Sequence, residues 1–178
     1  MKLYKTEFDG LYIIDLITHS DSRGDFTETF KKDWLSQQIG YKIDFCQDNS
    51  VESKHMVLRG LHFQKNPFSQ TKMVTVVVGK ILDVVVDLRK ESKSYGKYFC
   101  IELNSNEKKS LLIPKGFAHG YLTLTEKAVV NYKVDNYYNK DSERGIRFND
   151  PFLNINWKYN FSEFIISEKD KNYKDFIW

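Results

Sequence analysis

Cysteine is scarce in this chain. Only Cys46 and Cys100 occur among 178 residues, and neither stands in CxxC spacing, so neither a disulfide framework nor a zinc cage is supported. Buried, reduced thiols are the expectation. Proline (3) and glycine (9) are also few, which excludes linkers and low-complexity spacers and leaves one domain over residues 1–178. No apolar run is long enough to cross a bilayer, and Met1 to Gly10 is charged, without an apolar signal core. A cytoplasmic protein with no membrane partner is expected. Charges of one sign never gather in blocks: 27 Lys plus Arg stand against 24 Asp plus Glu, for a formal net charge of +3. That spread argues against a nucleic-acid partner but leaves room for a few cations aimed at a small anionic ligand. Helix signals are sparse too. Phe30 to Ile39 sets Phe30, Trp34 and Leu35 on one side with Gly40 to end the turn, and Ser167-Glu168-Lys169-Asp170 resembles a capping box.

What the chain has in abundance is short apolar and alternating runs. Hydrophobic residues make up 41% and aromatic residues 15%, with 13 Phe and 11 Tyr, a composition suited to sheet faces. Strands are predicted over Leu11–Leu16, Asp44–Asn49, Val57–Phe63, Lys72–Val78, Lys80–Leu88, Tyr98–Leu103, Leu111–Ile113, Gly120–Leu124 and Ala128–Val134. Turn chemistry such as Asp21-Ser22-Arg23-Gly24, Val78-Gly79-Lys80 and Asn104-Ser105-Asn106 separates them. Strands of this length and spacing imply an all-β sandwich or barrel with a few short peripheral helices.

Candidate chemistry centres on two histidines. In Leu58-Arg59-Gly60-Leu61-His62-Phe63-Gln64, alternation places Gly60, His62 and Gln64 on one face and Arg59, Leu61 and Phe63 on the other. The polar face is either a cavity lining or a solvated outer face. His119 lies in Pro114-Lys115-Gly116-Phe117-Ala118-His119, a Pro-x-Gly-x-x-His pattern that resembles the second signature of the cupin superfamily of double-sheet jelly rolls. Where metal-binding cupins carry His-x-His, this chain reads His62-Phe63-Gln64, and no Glu follows before Glu91. Two imidazoles and a neutral amide are a poor cage for a divalent transition metal, so no metal and no cofactor are expected. Asp83 and Asp87 share a strand face with Ile81 and Val85; an inward Asp83 needs a buried partner, and a histidine would serve.

A longer ordered set of segments is more specific. Asp21 to Glu28, Gln47-Asp48-Asn49-Ser50, Leu58 to Gln64, Gln70-Thr71-Lys72, Pro114 to Gly120, Tyr132, Tyr137-Tyr138, Asn149-Asp150 and Ser167 to Asp170 fall in sequence along the chain. Together they resemble the dTDP-4-dehydrorhamnose 3,5-epimerase family, from about the tenth residue to Asp170. The resemblance implies a cupin-type jelly roll and an isomerase that inverts C3 and C5 of a nucleotide-linked 4-keto-6-deoxy sugar, on the route to L-rhamnose. It implies enolisation, with a base, an enolate stabiliser and an acid on the far side.

By resemblance His62 is the base, Asp170 its orienting carboxylate, Lys72 the cation for the enolate and Tyr132 the acid opposite His62. Asp83 is the alternative partner for His62. Arg59 and Lys169 match diphosphate and substrate cations. Arg23 and Glu28 match a nucleotide-gripping segment that crosses to the partner subunit of a homodimer. Gln47, Asp48, Asn49 and His119 match substrate contacts, and Tyr138 a ring that stacks on thymine, with Glu143 nearby. Two stretches depart from the family pattern: Tyr159 to Phe164, and the Pro-free, Lys- and aromatic-rich tail Lys171 to Trp178. The alternatives left open are a 3-epimerase, a 3,4-ketoisomerase, a non-catalytic sugar-nucleotide binder and a metal-dependent cupin.

Overall fold

A computed structural model describes residues 1–176. In chain order the strands are β1 (Lys2–Lys5), β2 (Tyr12–Asp15), β3 (Ile17–Asp21), β4 (Gly24–Glu28), β5 (Gln47–Lys54), β6 (Val57–Gln64), β7 (Lys72–Val78), β8 (Lys80–Asp87), β9 (Tyr98–Asn104), β10 (Lys109–Ile113), β11 (Phe117–Thr123), β12 (Lys127–Val134), β13 (Glu143–Gly145) and β14 (Ile165–Ile166). Two α-helices, α1 (Lys32–Ile39) and α2 (Glu168–Lys171), and two short 3-10 helices, Lys140–Ser142 and Phe161–Glu163, complete the regular structure of the described residues. One sheet runs β1-β2-β10-β7-β12-β5, the other β13-β6-β11-β8-β9 with β14 beside β6, and β3 and β4 form a separate hairpin. This is the double-sheet jelly roll expected from the sequence.

The strands foreseen from apolar alternation are all present, several with shifted ends. The strands that were not foreseen are polar or very short. The β3–β4 hairpin is mostly exposed, so nothing selects a buried face and no alternation is written into it.

Three apolar layers explain why the sheets pack. Between the sheets, Val74, Val76, Val130 and Leu111 from one meet Ile81, Val85, Leu103 and Phe117 from the other. Behind the second sheet, Leu58, Leu61, Leu82, Val84, Ala118 and Leu122 are covered by Ile146, Phe148, Leu153, Trp157 and Phe176. Behind the first, Ile14, Met73 and Leu112 are covered by Leu35 of α1 and by Ile43. Strand β8 is therefore buried on both faces, which is why its sequence reads as a nearly unbroken apolar run. Helix α1 ends where Gly40 takes a left-handed conformation (φ 81°) and its N–H bonds back to the Ser36 carbonyl, as expected of a glycine C-cap.

One local feature overturns the alternation read for β6. Its register with β11 pairs His62 with His119 but Arg59 with Tyr121, so three steps on β6 match two on β11. This bulge sets Leu58 and Leu61 in the layer behind the sheet, while Arg59 and His62 line the same inner cavity. Arg59 thus joins His62 instead of opposing it, which strict period two cannot anticipate. Glycine is required here. A Cβ on Gly60 would lie 2.5 Å from the Gly120 Cα, and one on Gly120 would lie 2.6 Å from the Arg59 carbonyl oxygen.

Candidate active site

Between the sheets, the space that the inner core leaves unfilled forms two adjoining cavities. The outer one, about 360 Å³, is lined by Gln47, Asn49, His62, Gln64, Gln70, Lys72, Tyr132, Tyr138 and Glu143, among others. The inner one, about 230 Å³, shares His62, Lys72 and Tyr132 with it and adds Arg59, His119 and Tyr121. Three of the four residues expected to carry the chemistry thus converge from β6, β7 and β12 on one space, and Asp170 reaches His62 from α2.

His62 Nε2 lies 2.8 Å from Asp170 Oδ1, and Asp170 Oδ2 accepts the Gly60 N–H at 3.1 Å. The side chain of His62 is 30% exposed and that of Asp170 only 6%. Burial by itself would raise the Asp170 carboxyl, but the bonds from His62 and from the Gly60 N–H outweigh it and hold the group below its ordinary range. An ionised carboxylate only accepts, so the neutral imidazole carries its proton on Nε2 and keeps Nδ1 as the basic nitrogen. The capping motif contributes as well. Ser167 Oγ accepts the Asp170 N–H at 3.1 Å, which caps α2 through the serine and leaves the aspartate side chain to the sheet.

Asp83 does not hold His62. It is fully buried and lies 3.0 Å from His119 Nε2, giving a second histidine–carboxylate pair beside the first. Asp83 Oδ1 has no hydrogen-bond partner among the described residues, and its charge pulls on Lys72. Lys72 stands on the inner face of β7 with Val74 and Val76. Burial lowers its ammonium to about 8, against the opposing attraction of Asp83 and Glu143. Tyr132, half-buried on β12, has its phenol pushed up, chiefly by burial, so it stays protonated at neutral pH and can donate.

At the cavity mouth, Glu143 accepts from Tyr138 Oη at 2.9 Å and pairs with Lys169 Nζ at 2.6 Å. Burial would raise this carboxyl, yet the Lys169 and Tyr138 bonds keep it low. On β5, Gln47 Nε2 donates to Asn49 Oδ1 at 2.8 Å. Gln64, in the position read against a cupin metal ligand, is fully engaged by the backbone. Its Nε2 donates to the Phe68 and Tyr137 carbonyls at 2.7 and 3.1 Å, and its Oε1 accepts the Asn139 N–H at 2.6 Å. Its role here is to hold two loops at the cavity rim. Among the described residues no group of three or more His, Cys, Asp or Glu is placed to hold a metal ion.

Three expected contacts lie elsewhere in the chain. Asp48 points to the outer face of its sheet and pairs with Lys133 Nζ at 2.8 Å, because its neighbours Gln47 and Asn49 take the inner face. Arg23, 88% exposed, is bound to Asp21 at the tip of the β3–β4 hairpin. Glu28 ends that hairpin and, like Arg23, is absent from the cavity lining.

Two residues at the site were not anticipated. Arg59 Nε donates to Ser53 Oγ at 2.9 Å, and Ser53 Oγ is 3.2 Å from Tyr121 Oη. Alternation from His119 to Tyr121, and from Asn49 to Ser53, was the available signal for both.

Known proteins are similar to this chain over nearly its whole length. A family model described as dTDP-4-dehydrorhamnose 3,5-epimerase matches residues 5–177. The enzyme of that name from Shigella flexneri is 40% identical, over 99% of this chain and 97% of the relative. The crystal structure of dTDP-4-dehydrorhamnose 3,5-epimerase from Elizabethkingia anophelis superposes with a TM-score of 0.95 at 43% identity, covering 99% of this chain and 96% of that one. A dTDP-6-deoxy-D-glucose-3,5-epimerase from Legionella pneumophila, in complex with dTDP-4-keto-L-rhamnose, gives a TM-score of 0.93 at 37% identity, with coverages of 98% and 92%. With a family model spanning nearly its whole length and relatives matched end to end, this chain belongs to the dTDP-4-dehydrorhamnose 3,5-epimerase family.

Proposed function

We propose that this protein inverts C3 and C5 of dTDP-4-dehydro-6-deoxy-D-glucose to give dTDP-4-dehydro-L-rhamnose. The observation that carries the proposal is a base, a cation and an acid on one cavity: His62 oriented by Asp170, Lys72 from β7 and Tyr132 from β12. The C4 ketone acidifies the hydrogens on C3 and C5. His62 Nδ1 takes one of these protons, the electron pair moves into an enolate, and the Lys72 ammonium faces the charge developing on O4. Tyr132 Oη then protonates the carbon from the opposite face and recovers its proton from solvent, to which His62 releases the one it took. Arg59, which keeps guanidinium donors free beyond those to Ser53 and the Glu52 carbonyl, serves the diphosphate with Lys169. Tyr138, braced by Glu143, offers a ring to the base, while Gln47, Asn49 and His119 contact the sugar and its linkage. No cofactor is invoked.

The working unit in this reading is a homodimer of single-domain chains, acting in the cytoplasm. Among the described residues the β3–β4 hairpin pairs with no other strand, Phe26 on it is 70% exposed, and Arg23 and Glu28 do not line their own cavity. A second copy would bring them to a neighbouring site. Asp48 on the outer sheet face would then meet the partner rather than the sugar. Light scattering should report a dimer, and deleting residues 17–28 should yield a monomer of low activity; an active monomer refutes this arrangement.

The catalytic reading is tested by solvent deuterium uptake with the 4-keto substrate. Label should enter at both C3 and C5, and His62→Ala should abolish both while leaving dTDP affinity nearly intact. Uptake at C3 alone would make the enzyme a 3-epimerase, and binding without exchange would make it a sugar-nucleotide binder.

A further inference from the structure

The segment after α2 has no role in the scheme above, yet it touches the base. Tyr173 stands edge-on to His62, with ring centroids 5.6 Å apart and planes inclined at 71°. The tyrosine ring also lies on Gly145, the residue of β13 paired with His62 across the sheet. A Cβ at Gly145 would come to 2.3–2.4 Å from three of its ring carbons, so the ring occupies the place of the missing side chain. The phenol oxygen is buried and its side-chain partner is Lys169, so it is the ring and not the hydroxyl that faces His62. The tail is fastened on its far side. The Arg147 N–H donates to the Lys174 carbonyl at 3.1 Å, the Arg147 guanidinium pairs with Asp175 at 2.7 Å, and the Phe176 N–H donates to Asp150 Oδ2 at 2.6 Å. Ile177 and Trp178, the end of this tail, lie outside the described residues.

A single hydrogen bond to Asp170 fixes one edge of the imidazole but leaves it free to swing about a torsion whose well is broad. We propose that Tyr173 is a positioning residue that removes this freedom, walling His62 on the side Asp170 does not hold. The inference rests on His62 being the base. Nδ1 must sit within reach of C3 and then C5, and a displacement of about 1 Å can cost a hundredfold in rate.

The experiment compares Tyr173→Phe, Tyr173→Ala and Gly145→Ala in the full-length enzyme by steady-state kinetics, with imidazole ¹⁵N NMR of His62. Tyr173→Phe should keep wild-type kcat. Tyr173→Ala should lose about tenfold or more in kcat with KM changed less than about twofold. Gly145→Ala, whose new methyl pushes the same ring aside, should do likewise, and in both the His62 ring signals should broaden. If Tyr173→Ala does not fold, Gly145→Ala carries the test. Wild-type kcat and sharp His62 signals in either variant overturn the inference, as does a Tyr173→Phe as impaired as Tyr173→Ala. His62→Ala separates the two layers. Retained turnover there sinks the base assignment, whereas an inactive His62→Ala beside a normal Tyr173→Ala sinks only the positioning role.

Discussion

Replacing Asp170 by Asn should silence the enzyme while barely altering its shape, because the two carboxylate oxygens have different obligations. Oδ2 accepts the Gly60 N–H, and Oδ1 faces His62 Nε2. Asparagine has one acceptor oxygen, and the buried Gly60 N–H must keep it or stay unsatisfied, at a cost of about 1–3 kcal/mol. The amide NH₂ then faces Nε2, which becomes an acceptor, and the imidazole proton moves to Nδ1. The nitrogen that should take the substrate proton is thereby blocked. A wrong tautomer in a histidine–carboxylate pair costs about 10⁴ in kcat, or roughly 5.5 kcal/mol of barrier.

Stability should fall much less, by about 1–2 kcal/mol, since one charge-assisted bond is exchanged for a neutral one. The pH dependence has a definite sign. Asp170 is lowered in the folded state, so its contribution is fully present above the unfolded carboxyl value of about 3.9 and is lost as pH falls through the folded one. The Asn variant should lose this part of the acid sensitivity. Deuterium exchange at C3 and C5 reads the chemistry, urea melts at pH 7 and pH 3.5 read stability, and calorimetry with dTDP reads binding. Turnover within about tenfold of wild type, with the fold intact, would refute the tautomer argument.

Lys72 predicts an alkaline limb. Its charge is lost above about pH 8, so kcat/KM should decline there, and Lys72→Met should drop kcat by about 10²–10³ and erase that limb. An unchanged profile in Lys72→Met counts against an enolate role. Tyr132→Phe should still exchange the C3 proton through His62 but fail to invert C5, as proton NMR of the product will show; full inversion at C5 assigns the acid elsewhere. Tyr121→Phe removes the hydroxyl that meets Ser53, the anchor of Arg59 Nε. Weakening of dTDP binding by about three- to tenfold with kcat retained is expected, and an unaltered Kd would show that Arg59 needs no such support.

Much of the architecture was legible because burial writes itself into spacing. Val74 and Val76 fall two apart in Lys72–Val78 because that face meets the inner core, and Lys80–Asp87 is almost continuously apolar since both faces are covered. The exposed hairpin carries no such imprint, and neither do β13 and β14, which are too short to show a period.

For the site, the resemblance of the ordered segments to the epimerase family pointed to His62, Lys72, Tyr132 and Asp170 as one set. Distances across the fold settled what order could not. His62 and Asp170 lie 108 residues apart and meet at 2.8 Å, while Asp83 is taken by His119. A one-residue bulge turned Arg59 inward, strand parity turned Asp48 outward, and the packing of the tail put Tyr173 against His62. Those outcomes depend on which backbones come close, and linear spacing does not encode contacts between strands and segments far apart in the chain.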